Sequence, residues 1–173
     1  MKFELNKTIE ILEQTPDVLY ALLQDISDDW VYNNEGKDTW SVFHLIGHLI
    51  VCEKTDFISR SEIMLSDSEN KTLAPIDMYA QFYCNQGKTL VMLLNEFEYL
   101  RQENIIKLKA FDLVDGDLRK MANHPKIGRL SLSELLATWV AHDLNHISQI
   151  TRVMAKQYKD AVGPFIEFLS ILK

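Results

Sequence analysis

From Leu132 to Val162 the chain contains neither Gly nor Pro, and Ser131-Leu132-Ser133-Glu134 at its head has the order of a capping box. Leu135, Leu136, Trp139, Ile150, Val153 and Met154 recur at helical spacing within it. This pattern predicts one long amphipathic helix, running to about Tyr158, whose apolar stripe must be covered by other helices. His142 and His146 fall together on one shoulder of that stripe, and Gln149 follows one turn later. Residues four apart on a helix share a face, so the two imidazoles can chelate one metal ion. Asp-Leu-Asn lies between them, with no Glu after the first His, so the base of zincin-type peptidases is missing. Asp143 points into the buried face. It needs a partner there, either as an acceptor for a ligating histidine or toward backbone amides of a neighbouring segment.

The rest of the chain supplies the covering helices. Gly (6) and Pro (4) are scarce, which favours helix. Residues 3–26 read as helical, interrupted at Thr15-Pro16, where Thr15 suits an N-cap and Pro16 the first helical position. Residues 27–38 read as a loop. A second helix is expected from Thr39 to about Leu65, apolar nearly all round between Val42 and Cys52 and therefore central. One ligand-capable stripe, Ser41, His44, His48, Cys52, Thr55 and Ser59, runs along it. Pro75 opens a third helix from about Ile76 to Lys109, with Tyr79, Phe82, Tyr83, Leu90, Leu93, Phe97 and Leu100 at helical spacing and Gly87 as a kink or a point of close packing. Residues 110–130 read as a long crossing loop. Gly163-Pro164 precedes a short C-terminal helix, Phe165 to Leu172. The expectation is a single all-α domain over residues 1–173, a four-helix bundle with a long crossover loop.

Charge narrows the function. With 18 Lys and Arg against 25 Asp and Glu, the net charge is −7, which argues against a nucleic-acid backbone or an anionic membrane surface as partner. No run reaches the roughly 20 apolar residues of a membrane span. The N-terminus lacks the apolar core of a signal peptide, and Cys52 and Cys84 have neither metal-ribbon nor redox spacing. A cytoplasmic location with free thiols is expected. A third imidazole from the second helix, His48 or His44, would complete three neutral ligands with an open position, the layout of a catalytic metal centre. Cys52 reads first as a small buried hydrophobe, and His124, beside Pro125, as a loop residue.

Trp40-Ser41, His48-Leu49 and Glu53, together with Trp139 to Ile150 and the continuation through Arg152-Val153-Met154 to Ala161-Val162-Gly163-Pro164, resemble the DinB/YfiT-like superfamily. The resemblance covers nearly the whole chain. It implies a four-helix bundle of down-up-up-down-like topology, often dimeric, so a homodimer is expected. It also implies a divalent ion, zinc or nickel, held by one His of the second helix and two of the last bundle helix. The first ligand stands eight residues after the Trp, which selects His48 over His44; His142 and His146 are the other two. The implied chemistry is that of a metal-dependent enzyme on a small molecule, either a hydrolase or an S-transferase using a low-molecular-weight thiol as co-substrate. In either, Gln149 is expected to position substrate or water. The other expectation is a non-catalytic metal-binding scaffold or sensor, whose site would be closed by Cys52 or His44. Glu53 lies opposite the ligand stripe and is expected to pair with a base or cap a loop.

Overall fold

The computed structural model describes residues 2–173. Its bundle consists of α1 (Leu5–Leu23), α3 (Val42–Thr55) continued by α4 (Phe57–Leu65), α6 (Leu90–Ala110) and α8 (Leu132–Lys156). Short helices α2 (Asp28–Tyr32), α5 (Ala80–Tyr83) and α7 (Asp115–Leu118) decorate the connections. α6 packs against α1 and α3, and α8 against α1, α3 and α4. No helix among the described residues is long and apolar enough to cross a membrane. The architecture is the all-α four-helix bundle expected.

Three of the long helices begin with an oxygen cap. Ser41 Oγ accepts from His44 N, Thr89 Oγ1 from Met92 N, and Ser131 Oγ from Glu134 N. At the last, Glu134 Oε2 accepts in return from Ser131 N at 2.7 Å, so the capping box read in the sequence is formed.

Several element boundaries differ from expectation. α1 runs straight through Pro16, and Thr15 is no cap: its hydroxyl donates to Ile11 O at 3.1 Å. A helical proline removes the donor for the carbonyl four residues earlier, here Leu12, and that carbonyl is recovered by another residue described below. The second helix breaks at Asp56, whose φ of −110° and ψ of −95° lie outside helical geometry. Residues 27–38 contain α2 rather than only loop. The third helix starts at Leu90, because Gly87 has a φ of +78°, the left-handed region that ends a helix rather than kinking it. Tyr79, Phe82 and Tyr83 therefore belong to a separate, largely exposed segment.

The segment 110–130 is not an irregular crossing loop. It holds α7 and an antiparallel hairpin, β1 (Met121–His124) with β2 (Gly128–Ser131). His124 Nδ1 accepts from Lys126 N and Ile127 N across the turn, which fixes that residue as a turn cap. Residues 71–73 join the hairpin edge through Asn123, using Leu73 N to Asn123 O and Asn123 N to Lys71 O. The C-terminus forms two 3-10 turns, Gly163–Phe168 and Ser170–Leu172, in place of an α-helix.

Gly47 is a point of close packing between α3 and the segment carrying α5. A Cβ there would lie 2.5 Å from Asn85 Nδ2, and Asn85 is itself buried. Gly47→Ala is expected to lower the unfolding free energy by about 1–3 kcal/mol through overpacking, read as a drop in urea midpoint at unchanged m-value.

The core falls into two apolar clusters. One gathers Leu12, Cys52, Phe57, Leu108, Leu136 and Trp139; the other gathers Leu19, Leu45, Leu49, Phe97, Ile150 and Val153. Near where these sets meet, every bundle helix carries buried or half-buried polar residues: Thr15 on α1, His48 and Glu53 on α3, Arg101 and Asn104 on α6, and His142, Asp143 and His146 on α8. A polar belt thus crosses the middle of the bundle.

Candidate metal centre

The belt has two halves. In the structural half, the Arg101 guanidinium is 1% exposed and is saturated by carboxylates and a carbonyl. Its Nη1 donates to Asp143 Oδ2 at 2.6 Å and to Leu12 O at 2.9 Å; its Nη2 donates to Glu53 Oε1 at 2.7 Å and to Asp143 Oδ1 at 3.1 Å. Arg101 therefore supplies the donor that Pro16 cannot. Glu53 also accepts from Trp139 Nε1 at 3.1 Å and Asn104 Nδ2 at 2.9 Å. Burial alone would lower the guanidinium pKa, but the Glu53 and Asp143 carboxylates more than reverse that, so Arg101 is firmly cationic.

Asp143 is thus neither an acceptor for a ligating histidine nor bound to backbone amides. Its partner is Arg101, which the sequence reading passed over. The signal was present: Arg101 continues the i, i+4 series Leu93, Phe97 on the buried face of α6.

In the other half, α3 contributes His48 and α8 contributes His142 and His146. His142 Nε2 lies 3.3 Å from His48 Nε2 and 3.2 Å from His146 Nε2. The ligand atoms of these three residues all lie within 4.8 Å of one another. Four donors around a tetrahedral ion at about 2.0–2.1 Å stand about 3.3 Å apart, which is the spacing of the two pairs that His142 makes. A proton on one nitrogen can bridge only one such pair, whereas a cation can satisfy three converging lone pairs at once. The donor set therefore fits a divalent ion.

The remaining stripe residues of α3 go elsewhere. His44 Nδ1 is 3.0 Å from Ser41 Oγ and its ring packs on Phe82, away from the cluster. Thr55 Oγ1 donates to Val51 O, and Ser59 lies beyond the break at Asp56. Cys52 Sγ approaches His48 Nε2 at 3.5 Å and His142 Nε2 at 3.9 Å, but it falls outside the mutually close ligand set. Burial, reinforced by Asp56 and Glu53, pushes its thiol well above the ordinary range and keeps it protonated. Cys52 and Cys84 are both free.

The surroundings orient the rings and lower their basicity. Gln149 Oε1 lies 3.0 Å from His146 Nδ1, so the Nδ1–H tautomer leaves Nε2 free to face the cluster. The Trp40 ring packs against both His48 and His146, at centroid distances of 5.0 and 6.4 Å, and Phe57 packs edge-on to His142. Beyond His146 opens a cavity of about 350 Å³, walled by Trp40, Gln149, Glu35, Asp38 and Arg152.

Burial lowers the pKa of all three histidines, to about 4 for His48 and about 3 for His142, where repulsion from the neighbouring imidazoles adds to it, while at His146 the Gln149 hydrogen bond and the Asp143 carboxylate oppose it. Against an ordinary value of 6.5, the folded protein keeps both rings neutral where an unfolded chain would protonate them. Their contribution to metal-free stability is complete above pH 6.5 and is lost as the pH falls toward about 4 and 3. Proton competition for an ion is correspondingly weak. The ratio of divalent metal to protein, measured by elemental analysis after gel filtration, is expected to stay constant from pH 7 to about pH 5 and to fall only near pH 4.

The model of the DinB superfamily matches residues 11–150. The chain belongs to the DinB superfamily. This DinB-superfamily chain is 22% identical, over 88% of its length and 87% of the relative's, to a protein of Oceanobacillus iheyensis named "Putative metal-dependent hydrolase". The structure of YfiT from Bacillus subtilis has the same fold, with a TM-score of 0.73 and 20% identity over 88% of this chain and 86% of that one. That protein is described as "a probable metal-dependent hydrolase with an unusual four-helix bundle topology".

Proposed function

We propose that this protein is a metal-dependent hydrolase of a small molecule, with His48, His142 and His146 holding one divalent ion. The observation that carries the reading is the convergence of three neutral imidazole nitrogens, with one of the three residues, His146, on the wall of an open cavity. An ion bound there supplies Lewis acidity and lowers the pKa of a bound water or thiol. Three neutral donors leave its charge uncompensated, which strengthens both effects.

The chain's own contribution is placement. Gln149 holds His146 through Nδ1, and its amide nitrogen, with no protein partner among the described residues, remains available to a substrate oxygen. Trp40 and Phe57 wall the rings from solvent. Arg101, Glu53 and Asp143 tie α3, α6 and α8 together one layer behind, fixing the distance between the two ligand-bearing helices.

S-transfer from a low-molecular-weight thiol would use the same open position, and the family resemblance keeps it as the other enzymatic reading. Against a closed structural site, His44 turns away, and Cys52 Sγ, though 3.5 Å from His48 Nε2, does not lie within 4.8 Å of all three ligand nitrogens. The deciding experiment loads the protein with zinc or nickel and assays ester, amide and phosphoester panels, then electrophile consumption with glutathione, bacillithiol or mycothiol. Metal-dependent turnover of a hydrolysable bond without thiol supports the proposal. Turnover only with thiol replaces it with S-transfer. Loaded protein inert to both panels leaves the scaffold reading.

A further inference from the structure

We infer that Arg152 recognises a carboxylate, so that the molecule entering this site is a small carboxylate. The inference rests on the hydrolase reading for the position of the reacting bond, but the recognition itself stands on the cavity. Arg152 shares the 350 Å³ cavity with His146 and Gln149. It lies six residues beyond His146 on α8, about 9 Å along the helix axis. A carboxylate held there would share the cavity with a group placed at His146.

Arg152 is built as a presented fork. Its Nε donates to Glu35 Oε1 at 2.8 Å and its Nη2 to Glu35 Oε2 at 2.9 Å, while Nη1 has no protein partner among the described residues. The Glu35 side chain is 9% exposed and that of Arg152 is 40%, so the carboxylate lies behind and the guanidinium in front. Lys156 Nζ also reaches Glu35 Oε1, at 3.1 Å, and shares its charge. A guanidinium clamped along one edge loses little freedom when its other nitrogen binds an oxygen.

Side-chain charge limits the Arg152 end of the cavity to one negative group. Around the cavity Glu35 and Asp38 oppose Arg152 and Lys156, which leaves no net charge before any ion is added. A single carboxylate gains from Arg152; a second would meet Asp38.

The test measures binding of N-acetylglycine and of its neutral amide, N-acetylglycinamide, by titration calorimetry on the metal-loaded and the metal-free full chain. Wild type is expected to prefer the carboxylate by about tenfold or more, with or without metal. Arg152→Met is expected to reduce that preference to within twofold and to leave amide binding unchanged. Glu35→Gln/Arg152→Met, which leaves no unpaired carboxylate, should behave the same way if the single variant folds poorly. A preference surviving in both variants would overturn the inference, because the ion or another group would then be the anchor. So would equal weakening of both ligands, which marks Arg152 as a strut between α8 and the segment carrying Glu35. Wild type without a preference overturns it too. A chain that binds no divalent ion yet keeps the Arg152-dependent preference refutes the hydrolase reading alone; a loaded chain without the preference refutes only this one.

Discussion

His142→Ala is expected to strip the protein of stoichiometric metal. His142 is the hub of the cluster, since both of the short nitrogen–nitrogen contacts, 3.3 Å to His48 and 3.2 Å to His146, are its own. Removing it leaves two nitrogens on different helices. The loss of affinity should exceed the ~10–100-fold that removing an outer hydrogen-bond partner costs. Gln149→Ala supplies that smaller step for comparison, because it frees His146 Nδ1 without touching a ligand atom. Metal content by elemental analysis, with competition by a chelator of known affinity, gives both numbers. Far-ultraviolet circular dichroism checks that the helices persist. Full metal occupancy in His142→Ala with unchanged affinity would refute the three-histidine site, whatever the assay panels show.

The histidine-bearing α8 was the most legible part of the fold. α8 announces itself through an uninterrupted periodic run and a reciprocal cap, both local properties of consecutive residues. The His142–His146 pair follows from helical spacing alone. The choice of His48 over His44 came from the family resemblance, and the structure turns His44 toward Ser41 and Phe82. What could not be read depends on contacts distant in sequence. Pro16 looks like a helix start until Arg101, 85 positions later in the chain, takes up the carbonyl it orphans. Asp143 looks like a partner for a histidine until the same guanidinium claims it. The hairpin at 121–131 gains its edge from residues 71–73, and the break at Asp56 is a backbone geometry that its neighbours' helix propensity does not announce. The cavity beyond His146 joins Glu35 to Arg152, and no local pattern links those two positions.

Arg101→Met is expected to be the most destabilising single substitution in the bundle. It leaves Glu53 and Asp143 buried without a counter-charge and Leu12 O without a donor. Breaking a buried ion pair from one side costs about 3–5 kcal/mol, a large share of the 5–15 kcal/mol that holds a domain folded. Arg101→Lys should fall between the variant and wild type, because an ammonium keeps the charge but cannot fork to two carboxylates and a carbonyl. Urea midpoints at constant m-value measure the series, and an Arg101→Met protein within 1 kcal/mol of wild type would show that the cluster is dispensable. Pro16→Ala then isolates the carbonyl's share. In the Arg101→Met background alanine restores the N–H that Leu12 O lacks, whereas in wild type that oxygen already has Arg101. The stabilising effect of Pro16→Ala should therefore be larger in the Arg101→Met background by about 1 kcal/mol, the net value of one hydrogen bond. Equal effects in the two backgrounds would mean that proline and arginine are not coupled. A positive coupling would explain why α1 can carry a proline at its centre, where the belt that positions the histidines crosses it.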